Sequence, residues 1–324
     1  MRIAITGAAG MVGRKLTERL IADGTLNGAA IESLHLQDIV PFEPPQASFD
    51  ITAETSDLAD PGVAEALAAR DADMVFHLAG VVSGEAEANF DKGYRANLDG
   101  TRFLFDAIRL REGYAPRVVY SSSIAVFGAP FPPAIGDDFQ QVPLTSYGAQ
   151  KQIGELILTD YTRRGFMDGV ALRLPTICVR PGKPNLAASG FFSSIIREPL
   201  AGKEAVLPVS RDVVHTHASP RSAVGFLLHA AGLPSEEIGP RRAITLPGVA
   251  VSVGEQIEAL RRIAGDKAVA LIREQHDPAI SAIVEFWPQR FEANRASRLG
   301  FTAETSFDDI IRIHIEDELG GSLQ

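Results

Sequence analysis

The first twenty residues constrain the fold of this chain more than any other stretch. Arg2–Ile5 reads as a short apolar strand, and the turn after it follows the pattern G-x-x-G-x-x-G over positions 7–13. The next segment places Val12, Leu16 and Leu20 at i, i+4 and i+8, which makes one apolar stripe on a helix. A strand that leads through a glycine turn into an amphipathic helix is the opening unit of a doubly wound parallel sheet.

The first half of the chain continues this alternation. Further strand-like apolar runs lie at Ser33–Gln37, Met74–Leu78, Val118–Ser121 and about Val170–Leu174. Helical patterns lie between them, the last from about Ser146 to Arg163. Strands that alternate with helices are typical of a parallel sheet covered by helices. The sequence therefore predicts an α/β fold built on a Rossmann-type doubly wound parallel sheet.

The chain is long enough for two coupled regions. Its 324 residues exceed the ~100–200 of a simple domain. After Pro175 the elements come at less regular spacing, and residues 180–185 read as a loop. We expect a Rossmann domain over 1–174 and a smaller, mainly substrate-binding region over 175–324, with part of 206–250 returning to the Rossmann domain. Open α/β sheets bind ligands at the carboxyl edge, which this region would cover.

Composition excludes several classes of partner. The chain has 31 Lys and Arg against 41 Asp and Glu, and no run of basic residues. Proteins that bind duplex nucleic acid or anionic membranes present a basic face, so we expect neither partner. The single cysteine, Cys178, allows no intramolecular disulfide. With an N-terminus that leads straight into the glycine turn instead of an export signal, this favours the cytoplasm.

The glycine turn predicts a dinucleotide site. Without side chains, its backbone N–H groups and the helix N-terminus can reach a pyrophosphate. Asp38 ends the second strand, where a carboxylate accepts hydrogen bonds from the adenosine ribose and repels a 2′-phosphate. Asp38 could also serve only to open a turn. We expect NAD rather than NADP. The predicted cofactor ligands in this part of the chain are Gly7, Ala9, Gly10, Met11, Val12, Gly13 and Asp38.

A tyrosine and a lysine lie four residues apart on the last predicted helix of this half. Tyr147 and Lys151 share one helix face. The pKa of a free phenol is about 10, and a nearby ammonium favours the ionised form of the phenol. We therefore expect Lys151 to lower the pKa of Tyr147, which would let the phenolate act as a base. Ser123 ends the preceding strand and could orient a substrate alcohol, although serines there also serve as caps or turn residues.

These motifs together resemble the extended short-chain dehydrogenase/reductase superfamily, which includes the NAD-dependent epimerases and dehydratases. The similar segments are residues 6–13, 77–80, 121–128 and 147–151. The resemblance implies an NAD-dependent enzyme in which Tyr147 is the general base and Lys151 its partner and a ribose ligand. It implies that Ser123 binds the reacting hydroxyl.

The resemblance also implies further cofactor contacts and a homodimer. The residues concerned are Asp57, Leu58, Leu78, Ala79, Gly80, Asn97, Pro175 and Ile177. In the family, helices near Asn97 and Tyr147 pair across a dimer. Phe127 stands where the family usually has tyrosine, which changes packing and not the catalytic set.

The second half of the chain bears on the substrate. Nucleotide-sugar epimerases usually contain a run R-D-x-x-x-V-x-D-V, but the stretch 211–221 here has Ala218-Ser219-Pro220 in place of the paired acids. Residues 173–182, 189–192 and 218–221 instead resemble a narrower branch, the D-erythronate dehydrogenases. These enzymes oxidise carbon 2 of a four-carbon sugar acid to the 2-oxo acid. A nucleotide-sugar epimerase, a uronate dehydrogenase and a non-catalytic NAD sensor remain as alternatives.

A small acid needs a cation to bind it. A guanidinium grips a carboxylate in bidentate fashion, and Arg180 is the first candidate, Arg211 the second. Either arginine could equally be a surface residue. Ser83 is a candidate hydroxyl for a polyol substrate, or a cap of the helix that follows.

Three further groups draw attention in the second half. His215 and His217 share one face of a strand, but no third ligand at metal spacing accompanies them. We expect a structural or substrate-lining role for both and no metal site. Phe286, Trp287 and Phe291 form an aromatic cluster that we expect in the core, as we do Cys178.

Overall fold

A parallel sheet forms the centre of the molecule. In the computed structural model, which describes residues 1–182, 189–284 and 286–322, this sheet has seven strands. They are β1 (Arg2–Thr6), β2 (Ser33–Asp38), β3 (Asp50–Thr55), β4 (Met74–His77), β5 (Arg117–Ser123), β6 (Asp168–Leu174) and β7 (Ala243–Thr245). Their order is β7-β6-β5-β4-β1-β2-β3, and every neighbouring pair is parallel. The order reverses between β1 and β4, as in Rossmann folds, so the predicted fold class is confirmed.

Helices connect the strands. They are α1 (Met11–Asp23), α2 (Val63–Ala68), α3 (Ser83–Ala88), α4 (Phe90–Gly93), α5 (Gly100–Leu110), α6 (Ser146–Arg163), α7 (Gly190–Leu200), α8 (Pro220–Gly232), α9 (Ser235–Ile238), α10 (Val253–Val269), α11 (Pro278–Val284), α12 (Asn294–Arg298) and α13 (Phe307–Glu318). A π-helical turn over Tyr94–Asp99 leads into α5, and a 3₁₀ turn over Ile124–Val126 follows β5. Helix α6 has the predicted bounds. None of the helices in the described ranges is long and apolar enough to cross a bilayer.

Apolar layers cover both faces of the sheet. On one face, Leu16 of α1 and Phe226 of α8 are buried in one core. On the other face, Phe105 of α5 and Leu158 of α6 are buried in a second core. A third core, around Ile257, joins α7, α10 and α13 in the second half of the chain. The sheet is therefore covered by helices on both sides, which leaves its strand ends as the place for ligands.

Two sheet strands were not predicted from the sequence. The edge strand β3 is mostly exposed and polar, so it carries no apolar run. The strand β7 is three residues long and pairs with β6 from far along the chain. Hydrophobic periodicity identifies strands that are apolar and several residues long. It therefore predicted neither the polar strand β3 nor the three-residue strand β7.

Short strands build the region beyond β6. Thr176–Ile177, Val214–Ala218 and Val249–Ser252 form one small sheet, and Ala205–Leu207 pairs with Ile272–Glu274. Phe291–Glu292 pairs with Ile135–Gly136, and Thr25–Leu26 pairs with Ala29–Ala30. The boundary at residue 174 between a cofactor domain and a substrate region stays a prediction. Positions 183–185 of the expected loop lie outside the described residues.

Candidate active site

The glycine turn lies at the carboxyl end of β1, where the strand order reverses. Gly7 has φ of +74°, and a Cβ there would lie 2.7 Å from the backbone nitrogen of Ala79. A Cβ on Gly13 would lie 2.2 Å from the carbonyl oxygen of Gly7. Helix α1 begins at Met11, so its first N–H groups lack intrahelical acceptors and face the turn. These glycines let the chain approach a pyrophosphate without side chains in between, which is the fit that a dinucleotide requires.

Asp38 lies at the end of β2, beside the glycine turn. Its Oδ2 accepts a hydrogen bond from the backbone N–H of Ala9 at 2.9 Å, and its Oδ1 accepts one from Val40 at 2.9 Å. The Asp38 carboxylate therefore stabilises a turn, which is the alternative role that the sequence left open. Each oxygen keeps a further lone pair for a ribose hydroxyl. Ile39 is 61% exposed next to it, and no cation lies at positions 39–41.

Ser123, Tyr147 and Lys151 come together at the carboxyl end of β5. Ser123 is the last residue of β5, and Tyr147 and Lys151 lie on the first turns of α6. The Lys151 ammonium lies 5.8 Å from the centre of the Tyr147 ring and donates to the carbonyl oxygen of Ser121 at 2.8 Å. Thr145 caps α6 by accepting from Gly148 N at 3.0 Å, which fixes where the helix begins.

The electrostatics of Tyr147 differ from the expectation. Burial raises the pKa of this phenol, while a hydrogen bond with Ser123 and the charge of Arg180 lower it. Lys151 was expected to lower the pKa of Tyr147, but Arg180 supplies the cationic effect in this structure. Burial of Lys151 itself lowers its pKa to about 8, which the charge of Glu155 opposes. The effect of Lys151 on an ionised Tyr147 stays a prediction.

The other predicted cofactor residues surround the ends of β1 and β4. Asn97 is fully buried; its Oδ1 accepts from Val81 N at 2.8 Å and its Nδ2 donates to Gln150 at 2.7 Å. Leu78, Ala79 and Gly80 follow β4 directly, and the backbone of Leu78 and Ala79 packs against Gly7. Leu58 is buried near α5.

Asp57 is already engaged within the protein. Its Oδ1 accepts from Ala59 N at 2.9 Å and its Oδ2 accepts from Arg95 Nε at 3.0 Å. Pro175 and Ile177 are buried just after β6, and the carbonyl oxygen of Ile177 accepts from Arg180. Their contacts with a cofactor stay a prediction.

Arg180 has the surroundings of an anion site. Its Nε donates to Ile177 O at 3.0 Å and its Nη2 donates to Ser189 Oγ at 3.1 Å. Among the described residues, no carboxylate lies within ion-pair distance of this guanidinium. Burial lowers its pKa, and the neighbouring Cys178 and Tyr147 raise it. A partly buried cation beside Tyr147 is suited to hold an anionic group of a substrate.

Arg211, the second candidate, does not share that position. Its Nε and Nη2 donate to Glu274 at 2.9 and 2.6 Å, and its side chain is 47% exposed. An exposed arginine that already pairs with a carboxylate contributes little to the binding of a buried substrate. Ser83 is the first residue of α3, and no side-chain hydrogen bond caps that helix. The capping role that we considered for Ser83 is therefore wrong, and its hydroxyl stays a candidate.

The two histidines are buried against side chains of the third core. His215 donates from Nδ1 to Pro288 O at 3.0 Å and accepts at Nε2 from Thr176 at 2.7 Å. Burial lowers its pKa to about 4, so it is neutral at pH 7. His217 lies against the Phe192 ring, with centres 4.7 Å apart. No three His, Cys, Asp or Glu side chains converge as a metal site in the described ranges.

The aromatic residues do not form one cluster. Phe291 packs against Phe127 with ring centres 5.8 Å apart, and Trp287 packs against His215 at 5.3 Å. Phe286 is 54% exposed, so its expected place in the core was wrong. The pairing of Phe291–Glu292 with Ile135–Gly136 carries Phe291 away from Trp287. Cys178 is fully buried, as expected.

The description of one protein family fits this geometry. The model of the NAD dependent epimerase/dehydratase family matches residues 3–218. The chain belongs to this family. NAD is the cofactor of this protein. Gly7 and Gly13, near the end of β1, have no room for a Cβ, and such glycines let the backbone approach the pyrophosphate of NAD.

Two curated relatives of this family member cover almost its whole length. The D-erythronate dehydrogenase of Cupriavidus necator is 47% identical over 98% of this chain and 98% of that protein. The D-erythronate dehydrogenase of Haemophilus influenzae is 38% identical over 98% of this chain and all of that protein. A solved structure, the nucleoside-diphosphate-sugar epimerase from Agrobacterium tumefaciens, is 61% identical, with a TM-score of 0.97 over 100% of this chain and 96% of that one.

The sequence analysis did not identify Glu155, a buried acid on α6, as a site residue. Glu155 lies one turn beyond Lys151 on α6 and is 2% exposed. Its position at i+4 from Lys151 was a signal in the sequence, because Tyr147, Lys151 and Glu155 then share one helix face. A carboxylate in an amphipathic helix ordinarily faces solvent, so its position in the sequence did not predict burial.

Proposed function

We propose that this NAD-dependent oxidoreductase oxidises D-erythronate at carbon 2 to the 2-oxo acid. D-Erythronate and NAD⁺ give 2-oxo-tetronate, NADH and a proton. The Arg180 guanidinium carries the proposal, because its charge lowers the pKa of Tyr147 and no carboxylate pairs with it among the described residues. The names of the two curated relatives support the same substrate.

Each side chain of the site would have a separate role in the oxidation at carbon 2. NAD, when bound, accepts the hydride that leaves this carbon. Ser123 would hold the substrate hydroxyl and Tyr147 would take its proton, because Ser123 ends β5 and its hydroxyl lowers the pKa of the Tyr147 phenol on the first turn of α6. Lys151 would stabilise the ionised phenol and bind the ribose. Arg180 would hold the carboxylate in bidentate fashion, and Ser83 is a candidate for an outer hydroxyl.

Nucleotide-sugar epimerisation is the second candidate, because a 61% identical protein carries that description. Such a substrate needs a cation for its diphosphate in the second half of the chain. Arg211 stands where the family usually places that arginine, but it is 47% exposed and bound to Glu274. This pairing favours a small acid over a nucleotide sugar. A uronate dehydrogenase stays within the same chemistry, and a sensor would have no use for the Ser123, Tyr147 and Lys151 set.

A substrate panel tests the proposal. Purified protein and NAD are mixed with four- to six-carbon aldonates, uronates and UDP-sugars, and NADH absorbance is followed. We expect D-erythronate to give the highest kcat/KM. Faster oxidation of a uronate would replace the substrate, and interconversion of a UDP-sugar without NADH release would replace the reaction class.

We also propose a cytoplasmic homodimer. Leu156 on α6 is 61% exposed, Leu110 on α5 is 72% exposed and Phe90 on α4 is 57% exposed. An exposed apolar surface on these helices favours burial against a second copy. Light scattering of the native protein tests this, and a monomer at micromolar concentration would contradict it.

A further inference from the structure

The buried acid Glu155 is the centre of a polar network behind the catalytic set. Its carboxylate accepts from Ser122 Oγ at 2.6 Å and from Gln141 Nε2 at 2.8 Å. Arg173 donates to it from Nε at 2.9 Å and from Nη2 at 2.8 Å. Every contact is short and both oxygens are used, so this carboxylate is fixed in one position.

The network ties two adjacent strands to one helix. Ser122 on β5 lies directly opposite Arg173 on β6 in the sheet, and both bind Glu155 of α6. The residue before Ser122 contacts the same helix, because the carbonyl oxygen of Ser121 accepts from Lys151 at 2.8 Å. Two successive residues of β5 are thus matched to two successive turns of α6.

Glu155 also lies one helical turn beyond Lys151 on the same face of α6, and both side chains are buried. Lys151 is 4% exposed, and its burial lowers the pKa to about 8. The Glu155 charge raises that pKa and so favours the ammonium form. The other titratable groups that face Lys151 are Tyr147 on α6, Tyr120 on β5 and His77 on β4.

None of these other groups supplies a negative charge at neutral pH in the protein as it stands. Burial lowers the pKa of His77 to about 3, so this histidine is neutral. Burial raises the pKa of Tyr120 and of Tyr147, so both phenols hold their protons. Burial raises the pKa of Glu155 too, but Arg173, Ser122 and Lys151 lower it. Among these neighbours, Glu155 is therefore the group whose charge favours the ammonium form of Lys151.

We propose that Glu155 is a positioning residue for the reaction: held by Arg173 and Ser122, it keeps the Lys151 ammonium charged and keeps α6 in register with Ser123. The reaction that it serves is the one proposed above, and in that respect the inference rests on the proposed function. The effect on Lys151 does not depend on which substrate is oxidised.

The first measurement needs no substrate. The chain has only six lysines, so the Lys151 signal can be followed by NMR of lysine-labelled protein and assigned with Lys151→Arg. Glu155→Gln combined with Arg173→Gln removes both charges and leaves no unpaired ion behind. We expect the Lys151 midpoint to fall by about one pH unit, which leaves roughly a fifth of the native charged fraction at pH 8. Glu204→Gln, at an exposed pair with Arg273, is the matched control and should change nothing.

The second measurement is the pH profile of kcat with D-erythronate. In the double variant the alkaline limb should move to lower pH by the same amount, while KM for the acid and the Kd for NAD stay within about twofold. Glu155→Asp keeps the charge and should restore most of both values. A folded double variant with the native Lys151 midpoint would overturn the proposal.

The experiment also distinguishes a failure to fold from a failure of the proposed function. If the double variant fails to fold, Glu155→Gln alone decides, because it removes the charge and keeps the shape of the side chain; an unchanged Lys151 midpoint there also overturns the proposal. If native protein does not oxidise D-erythronate but the Lys151 midpoint still falls, the proposed function fails and the role of Glu155 stands.

Discussion

Replacing Arg180 by alanine should lower kcat/KM for the acid and leave NAD binding near native. Among the described residues, the guanidinium donates two of its five N–H groups, to Ile177 and Ser189. The remaining groups suffice for a bidentate carboxylate, a pair worth about 2–4 kcal/mol in a desolvated site. At about 1.4 kcal/mol per tenfold, this corresponds to a loss of roughly 30- to 800-fold in kcat/KM.

The same substitution should also move the pH dependence. The Arg180 charge lowers the pKa of Tyr147, so its removal raises that pKa further above the ordinary value. The limb on which kcat rises with pH should therefore shift to higher pH. Arg180→Lys keeps the charge but loses the planar fork, so it should restore the limb while KM stays raised.

Initial rates from NADH absorbance over a pH series measure both effects, and an NAD titration measures cofactor affinity separately. Arg211→Ala is the matched control, because this arginine is exposed and paired with Glu274. Native kcat/KM in Arg180→Ala would refute the reasoning. So would an equal loss of affinity for NAD, since Arg180 would then serve the cofactor site and not the substrate carboxylate.

Tyr147→Phe should lower kcat by about 10²–10⁴ and abolish its rise with pH, because the variant lacks only the hydroxyl oxygen. A near-native rate at normal NAD affinity would contradict the mechanism. Asp38→Ala with Ile39→Arg should narrow the preference for NAD over NADP in kcat/KM, and native protein that uses both equally would refute the role of Asp38. Gly13→Ala should lower the free energy of unfolding by about 1–3 kcal/mol and weaken NAD binding, since its Cβ would lie 2.2 Å from Gly7 O. Gly225→Ala, which meets nothing within 4 Å, is the control in melting and NAD titrations.

The fold followed from local patterns along the chain. The apolar stripe of α1 and the continuous apolar runs of β1, β4 and β5 arise from burial on one or both faces, which the spacing of residues records. The glycine turn was equally readable, because a tight approach of backbones leaves only glycine possible at Gly7 and Gly13. The polar edge strand β3 gave no such pattern, since solvent covers most of it.

The sequence by itself also determined the helix face that carries Tyr147 and Lys151, because four residues are close to one helical turn. Only the tertiary structure separated the two candidate arginines. Among the described residues, Arg180 has no carboxylate partner, whereas Arg211 binds Glu274 at the surface. Only the tertiary structure placed Glu155 inside, because its partner Arg173 comes from a different strand. Burial and ion pairing depend on contacts between residues far apart in the chain, and spacing along the chain does not encode them.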